Sequence, residues 1–182
     1  AVRDRLLTTR HRRPLSEVGE AARALTAHLL MVPEVRRAAT VAAYASVGGE
    51  PGTGALLDAL RAAGKRVILP VVLPDLDLDW AVYDGELVPA RRGLLEPPGP
   101  RLGPEAIATA DAVLVPGLAV SPTGLRLGRG GGCYDRALAR VPVGTFTCVL
   151  LYDDEVGLDV PVEPHDRPVG FAATPSGVRR LG

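Results

Sequence analysis

A three-layer α/β domain, with a mainly parallel sheet and helices on both faces, is the fold class that this sequence predicts. Short, continuous apolar segments alternate along the chain with segments of helical periodicity. This order is typical of parallel sheets that are covered on both faces. The chain has 182 residues, a length that fits one domain better than two. We therefore predict a single α/β domain that spans residues 1–182.

The predicted strands are short apolar segments. Four of them read as buried, and they are VAAY at 41–44, VILPVV at 67–72, AVLVP at 112–116 and FTCVLLY at 146–152, the last clear strand of the chain. LDLDWAVYD at 76–84 alternates apolar and polar residues, which predicts a half-exposed strand. Residues 85–104 are rich in Gly and Pro and predict a long ordered loop.

The predicted helices follow from spacing and from residues typical of helix ends. A short arginine-rich helix is predicted at 2–12, with one face formed by Val2 and Leu6. The next helix begins with Ser16 as its N-cap and ends at Pro33, and its apolar face holds Val18, Ala22, Leu25 and Leu29. A third follows the turn-rich VGGEPGTG, stops at Gly64 and buries Leu56, Leu57, Leu60 and Ala63. A short helix is also predicted to begin near Gly132.

Composition excludes several classes of protein. Acidic and basic residues balance at 21 each, so no global positive field favours nucleic acid or a membrane surface. Cys133 and Cys148 are the only cysteines, and without a CxxC motif they predict neither a zinc site nor a disulfide framework. No apolar segment approaches the length of a membrane span. We expect a cytoplasmic monomer that binds neither nucleic acid nor membrane.

The most informative segment is VPGLAVSPTGLRLGRGGGCYDRAL at 115–138, which leaves a buried strand and enters a helix. Its glycines allow backbone N–H groups to close around phosphate oxygens, and its arginines supply forked donors and positive charge. The alternative is a tight turn with surface arginines, and for the glycines alone that interpretation is favoured. The combination favours an anion cradle formed by Arg126, Gly128, Arg129, Gly130, Gly131 and Gly132.

Three familiar nucleotide motifs are absent. Lys65 lacks the upstream glycine of a P-loop and leads into a strand, not a helix. A GxGxxG pattern that starts at Gly128 has Cys133 in its sixth position. The HRD and DFG motifs of protein kinases do not occur.

Asp135 lies in the first turn of the helix that follows the glycines. One interpretation is a favourable interaction with the helix dipole, of about 0.3–1 kcal/mol. The other is a Mg²⁺ ligand beside a nucleotide, because Mg²⁺ prefers one or two carboxylates together with phosphate oxygens. Local sequence favours neither.

RLGRGGGCYDR resembles the loop RLGxGxGYYDR of the 5-formyltetrahydrofolate cyclo-ligases, also called methenyltetrahydrofolate synthetases. Four further segments occur in the order that this family shows: LPVVLPD, RRGLLEP at 91–97, ADAVLVPGLAV and PVEPHDRPV. The resemblance covers roughly the whole chain. It implies ATP- and Mg²⁺-dependent conversion of 5-formyltetrahydrofolate to 5,10-methenyltetrahydrofolate, ADP and phosphate. In that reaction the γ-phosphate is transferred to the formyl oxygen and N10 then attacks the activated carbon.

The resemblance also implies a role for individual residues. Asp135 and Asp166 match metal ligands, and the catalytic residues are Arg126, Arg129 and Tyr134. The nucleotide-binding residues are Arg3, Arg126, Leu127, Gly128, Arg129, Gly130, Gly131, Gly132, Cys133 and Tyr134. The folate-binding residues are Glu50, Glu96, Arg129, Gly130, Gly131, Gly132 and Cys133, with Pro97 beside Glu96 in the pocket wall.

Each of these positions also has a plainer interpretation. Without the resemblance, Glu50 and Asp166 read as turn residues, Arg3 as a solvated helix residue and His165 as a solvated loop residue. Trp80 and Tyr83 also have two interpretations. They either stack on the pterin or belong to the core.

The chain departs from the family pattern at two positions of the loop. Cys133 stands where the family has tyrosine, and Gly131 where a lysine is frequent. The lysine of the family's first helix would lie at or just before Ala1. Cys133 and Gly131 keep one rival open, a non-catalytic folate- or nucleotide-binding protein of the same fold. A second rival is an ATP-dependent enzyme that acts on another formylated or amidated substrate, and Glu50 is the residue that discriminates it.

Overall fold

A computed structural model describes residues 1–182. A seven-stranded sheet with the order β11-β10-β9-β6-β1-β2-β3 forms its centre. These strands are β1 (Thr40–Ala42), β2 (Arg66–Val72), β3 (Leu78–Val82), β6 (Ala112–Pro116), β9 (Phe146–Leu150), β10 (Phe171–Thr174) and β11 (Gly177–Arg180). Two small hairpins lie outside it, formed by β4 (Val88–Pro89) with β5 (Leu95–Glu96) and by β7 (Ala119–Val120) with β8 (Arg126–Leu127).

The middle of the sheet is parallel, as predicted. Strand β1 pairs in parallel with β2 and β6, and β9 pairs in parallel with β6 and β10. Only the edge strands β3 and β11 run antiparallel to their neighbours. Because the parallel strands point the same way, their carboxyl ends meet at one edge, where open α/β sheets bind ligands.

Helices cover both faces of the sheet, which confirms the three layers. The helices are α1 (Val2–His11), α2 (Leu15–Met31), α3 (Pro33–Arg36), α4 (Gly54–Ala62) and α5 (Cys133–Ala139). Leucines of α2 and α4 belong to the core on one face. On the other face, α5 and the 3-10 helix Pro104–Thr109 contribute to a second core. None of the helices combines the length and apolarity that crossing a bilayer requires.

Helix α1 packs against the β7–β8 hairpin and not against the main sheet. Leu6 forms a small core with Leu118, Ala119 and Leu127, and Val2 packs on it. The predicted apolar face of α1 is therefore present, and its partners are residues of the β7–β8 hairpin and Leu118 just before it, all on the amino-terminal side of the glycines. This packing brings the amino-terminal helix to the carboxyl edge of the sheet.

Five local predictions were wrong. Ala63, predicted to be buried, is exposed just past the end of α4. Pro14, with extended backbone, precedes the first residue of α2, so Ser16 is not the N-cap. The predicted half-exposed strand at 76–84 is the shorter β3, and only its last residue is exposed. The loop at 85–104 contains the β4–β5 hairpin. Two strands, β10 and β11, follow the segment predicted to be the last clear strand.

Gly124 illustrates a backbone position that only glycine fits. Its φ is +93°, and a Cβ atom there would lie 2.2 Å from the carbonyl oxygen of Val169. Gly144 has nearly the same φ, +94°, but its Cβ would meet nothing within 4 Å. The two positions therefore separate backbone strain from steric clash.

We expect Gly124→Ala to lower the free energy of unfolding by more than Gly144→Ala does. Backbone strain from the positive φ alone costs about 1–2 kcal/mol at either position. At Gly124 the clash adds to this cost, because Val169 cannot move away without losing the hydrogen bond from its N to the carbonyl of Gly124 at 2.8 Å. Urea denaturation of both variants measures the difference. Equal losses of unfolding free energy in the two variants would contradict a clash at Gly124.

Candidate functional site

One cavity of about 370 Å³ lies at the carboxyl ends of the central strands. Its lining comes from α1, the segment after β1, the β4–β5 hairpin, the glycine-rich loop and the 161–166 segment. Every residue implied to bind nucleotide, folate or metal lines this cavity: Arg3, Glu50, Glu96, Arg126, Leu127, Gly128, Arg129, Gly130, Gly131, Gly132, Cys133, Tyr134, Asp135 and Asp166. Residues far apart in sequence thus form one pocket.

The glycine-rich loop turns the chain between β8 and α5. Gly130 and Gly132 have φ values of +109° and +71°, a region that side chains disfavour. Gly131 is confined differently, because a Cβ there would lie 3.4 Å from Cys133 Sγ. The loop therefore presents mainly backbone groups to the cavity.

Arginines flank this loop in three different settings. Arg126 is held in place, because its Nη1 donates to the carbonyl of Pro116 at 2.9 Å and its guanidinium lies 5.4 Å from the centre of the Tyr134 ring. Arg3, on α1, donates from Nε to the carbonyl of Gly128 at 2.8 Å. Arg129 is exposed at the mouth. Positive charge thus borders the loop on several sides.

Burial shifts the pKa values of two side chains beneath the loop, Arg126 and Tyr134. It lowers the pKa of Arg126, although the nearby charges of Asp135 and Tyr134 oppose the change. It raises the pKa of Tyr134, with the charge of Glu50 adding to the effect. Tyr134 is therefore a protonated phenol at neutral pH and can donate a hydrogen bond into the cavity.

Asp135, His165 and Asp166 form a compact cluster at the acidic end of the cavity, with one ligand atom from each within 4.8 Å of the others. His165 Nε2 lies 3.8 Å from Asp135 Oδ2 and 4.0 Å from Asp166 Oδ1. Backbone N–H groups orient the two carboxylates, from Arg167 to Asp135 and from Glu163 to Asp166. Two oriented carboxylates fit a hard divalent cation such as Mg²⁺.

His165 was interpreted as a solvated loop residue, and the structure adds a contact that this interpretation missed. Its side chain is 63% exposed, yet it faces both carboxylates. The only sequence signal was its position next to Asp166. That signal is weak, because adjacency does not reveal that Asp135 lies opposite.

Glu50 lies in the segment after β1, and its Oε1 accepts a hydrogen bond from Val47 N at 2.8 Å. Burial raises its pKa, while this hydrogen bond and the charges of Arg129 and Arg10 act in the opposite direction. One carboxylate oxygen remains without a partner in the protein. Glu50 can therefore accept hydrogen bonds from a ligand.

Only one of the two residues implied to wall the folate pocket lines the cavity. Glu96 lines the cavity and is bound to Arg101 at 3.1 Å, whereas Pro97 is buried outside the lining. Trp80 and Tyr83 belong to the cores on the two faces of the sheet, and Tyr83 donates to Asp58. The alternative of core aromatic residues is therefore confirmed for both.

Two residues that sequence reasoning did not single out also line the cavity. They are Arg10, buried on α1, and Tyr44, buried just after β1. Arg10 is one of several arginines in a short helix, and Tyr44 ends an apolar strand. Neither position carries a local signal of contact with a ligand.

Comparison with known proteins identifies a family over nearly the entire chain. The sequence model of the 5-formyltetrahydrofolate cyclo-ligase family matches residues 1–175. A 5-formyltetrahydrofolate cyclo-ligase from Mycolicibacterium smegmatis is 47% identical over 142 residues, which cover 75% of this chain and 73% of the relative. The enzyme of the same name from Escherichia coli is 34% identical over 172 residues, covering 89% and 90%.

Solved structures agree with this comparison. The NMR structure of Aquifex aeolicus 5,10-methenyltetrahydrofolate synthetase is similar with a TM-score of 0.83 and 30% identity, covering 98% of this chain and 90% of that one. A 5,10-methenyltetrahydrofolate synthetase from Mycoplasma pneumoniae has a TM-score of 0.76 at 19% identity, covering 95% and 96%. At that identity the second likeness shows the fold alone.

Proposed function

This chain belongs to the 5-formyltetrahydrofolate cyclo-ligase family, and from that premise we propose how its pocket performs the cyclisation. The activity of the family is the conversion of 5-formyltetrahydrofolate to 5,10-methenyltetrahydrofolate. We infer that ATP drives this reaction and that Mg²⁺ assists it. The single observation that supports the proposal most is that a glycine-rich loop, a carboxylate pair and the half-buried Glu50 all line one cavity.

The glycine-rich loop at 126–134 is proposed to bind the triphosphate of ATP. Its glycines let backbone N–H groups approach phosphate oxygens closely. Arg3 and Arg129 border it from α1 and from the mouth, and Arg126 is fixed beneath it. Forked guanidinium donors match the geometry of phosphate.

Asp135 and Asp166 are proposed to hold Mg²⁺, with His165 beside them. The donor set fits, because both carboxylates are oriented by backbone N–H groups and lie next to the loop. When bound, Mg²⁺ neutralises charge on the phosphates and orients them. The two aspartates therefore define the end of the pocket at which the transferred phosphate lies.

The bond changes balance without a protein nucleophile. The formyl oxygen attacks the γ-phosphorus of ATP, the bond to the β-phosphate oxygen breaks, and ADP leaves. N10 then attacks the activated formyl carbon, which closes the ring, its proton is lost, and the carbon–oxygen bond breaks to release phosphate and leave the methenyl bridge. The released phosphate carries the formyl oxygen and, in the net balance, the N10 proton. The protein must position and stabilise charge.

Three side chains are proposed to stabilise the charge that develops during these steps. Arg126 is immobilised by Pro116 and by the Tyr134 ring, so its charge is preorganised. Arg129 is free to contact phosphate at the exposed mouth. Tyr134 is protonated at neutral pH, as tyrosines ordinarily are, and burial raises its pKa further, so its hydroxyl can donate to an oxygen that gains charge.

The folate is proposed to lie between Glu50 and the β4–β5 hairpin. Glu50 presents a carboxylate to the donor edge of the pterin ring. Glu96, held by Arg101, contributes to the opposite wall. In this proposed pose the formyl group shares one cavity with the glycine-rich loop, since Glu50, Glu96 and the loop all line it.

A direct assay tests the proposal. Purified protein is mixed with 5-formyltetrahydrofolate, ATP and Mg²⁺, and we expect the absorbance of methenyltetrahydrofolate to appear only when all three are present. A non-catalytic binding protein would give binding without absorbance. An enzyme for another formamide would turn over that compound faster than 5-formyltetrahydrofolate. Either result would overturn the proposed reaction.

A further inference from the structure

The guanidinium of Arg10 has no role in the mechanism above, although it borders the cavity. Arg10 lies in α1 and is only 3% exposed. Its Nε and Nη2 donate to the two carboxylate oxygens of Glu155, each at 2.8 Å, and Nη2 also donates to the carbonyl of Gly117 at 2.7 Å. This forked geometry fixes both the plane and the position of the group.

One nitrogen of this immobilised group has nothing to donate to. Arg10 Nη1 is buried without a hydrogen-bond partner in the protein, and the same is true of the hydroxyl of Tyr44. Tyr44 is 3% exposed and also lines the cavity. Buried donors normally have partners, because a donor without one loses its hydration and gains nothing in exchange. Arg126 Nε is the third such donor among the residues that line the cavity. Unpartnered donors grouped at a cavity point to a ligand that satisfies them, and those of Arg10 and Tyr44 lie on the side of Glu50, whose charge acts on both residues.

The charges around these donors identify the kind of acceptor. Glu155 already neutralises Arg10, because the pair is bidentate and fully buried. A third group, Glu50, adds negative charge, since it acts on both Arg10 and Tyr44. Tyr44 is protonated at neutral pH, as tyrosines ordinarily are, and burial raises its pKa further. Arg129 also acts on Glu50, so Arg10 and Arg129 are balanced here by Glu155 and Glu50. A phosphate or a free carboxylate would therefore meet no net positive charge, whereas a neutral carbonyl oxygen fits.

The same corner offers one acceptor next to these donors, which is the carboxylate of Glu50. A ring edge with a carbonyl oxygen beside N–H groups complements that set. The pterin of 5-formyltetrahydrofolate has such an edge, formed by the C4 carbonyl, N3–H and the 2-amino group. Adenine lacks it, because its amino group donates where the pterin carbonyl accepts.

We propose that Arg10 Nη1 and the Tyr44 hydroxyl bind the C4 carbonyl oxygen of the pterin while Glu50 accepts from N3 and the 2-amino group. Arg10 and Tyr44 are thereby specificity-determining residues for a 4-oxo pterin. This inference rests on the proposed function. Glu155 acts through Arg10, so it is a positioning residue.

Tyr44→Phe tests this inference, because it deletes one unpartnered hydroxyl and leaves the Arg10–Glu155 pair intact. Arg10 itself secures α1, so its replacement would confuse binding with folding. The probes are 5-formyltetrahydrofolate and its 4-amino-4-deoxy analogue, whose C4 substituent donates in place of accepting. Calorimetric titration without ATP gives both dissociation constants. The matched control is Tyr83→Phe, which removes a hydroxyl bound to Asp58 outside the cavity.

We expect the unchanged protein to prefer the 4-oxo compound, and Tyr44→Phe to weaken its binding about 3- to 10-fold while affecting the analogue less. Tyr83→Phe should leave the preference unchanged. The inference is overturned if the unchanged protein binds both compounds equally, or if Tyr44→Phe retains the full preference while cyclisation persists. If the unchanged protein neither binds nor cyclises 5-formyltetrahydrofolate, the proposed function fails and this inference fails with it.

Discussion

Replacement of Asp135 by alanine is expected to abolish ATP-dependent cyclisation while the fold remains intact. Asp135 is 15% exposed and faces His165 and Asp166 across the acidic end of the cavity. A divalent cation beside transferring phosphate stabilises the transition state by several kcal/mol, so the loss of one of two carboxylate ligands should reduce kcat/KM on the order of 10³-fold. Initial rates of methenyltetrahydrofolate formation measure this effect.

Binding measurements separate the metal role from a structural one. Asp135 accepts only one long hydrogen bond from protein, from Arg167 N at 3.4 Å, so Asp135→Asn should fold normally yet lose Mg²⁺-dependent affinity for ATP. A matched control is Asp84→Asn, because Asp84 is exposed and lies outside the cavity. Full activity in Asp135→Ala would exclude Asp135 as a metal ligand.

Separation of the buried Arg10–Glu155 pair is expected to cause the largest loss of stability. Both side chains are 2% exposed and lie 2.8 Å apart. Removing either partner leaves the other charged and without compensation in the interior. Such a change costs about 3–5 kcal/mol, so Arg10→Ala and Glu155→Ala should each lower the free energy of unfolding by that amount.

The double variant Arg10→Met/Glu155→Leu is expected to lose much less than the sum of the two single losses, because no buried charge remains. Urea denaturation gives all three values, and the coupling energy follows from the cycle. Asp154→Ala is the control, since it removes a pair between Arg13, which follows α1, and a carboxylate that is 61% exposed, and it should cost less than about 1 kcal/mol. The prediction is contradicted if Arg10→Ala and Glu155→Ala lower the free energy of unfolding by no more than Asp154→Ala does.

This pair also connects stability to nucleotide binding. Glu155, in the 3-10 helix Asp153–Glu155 after β9, binds Arg10 of α1, and α1 carries Arg3 to the carbonyl of Gly128. A loosened α1 would remove Arg3 from the glycine-rich loop. We therefore expect Glu155 to help position the proposed ATP site, although it lies away from the glycine-rich loop.

Local sequence patterns were sufficient for the centre of the sheet. The strands β1, β2, β6 and β9 are mostly apolar, and short apolar segments of this kind are typical of the buried strands of a parallel sheet. The antiparallel β10–β11 hairpin was missed because FAAT and GVRR are short and have weak strand propensity. Their pairing depends on β9, which lies beside β10 in the folded chain.

Local sequence patterns also did not predict that β3 is buried. Its alternating sequence indicates one exposed face, but the 3-10 helix Pro104–Thr109 covers that strand. Asp79 is buried there because its carboxylate accepts hydrogen bonds from Trp80 N and Gly103 N, both at 2.7 Å. A polar residue in an alternating strand is thus not proof of solvent contact.

The sequence by itself determined the family, the layered fold and the glycine-rich loop, because these depend on residue types and spacings along one stretch of chain. Only the tertiary structure decided that Arg10 alone among the arginines of α1 is buried and that Glu155, 145 residues away, neutralises it. It likewise placed His165 opposite Asp135. Local spacing encodes which face of an element is apolar, whereas the partner of a charge depends on how distant elements pack.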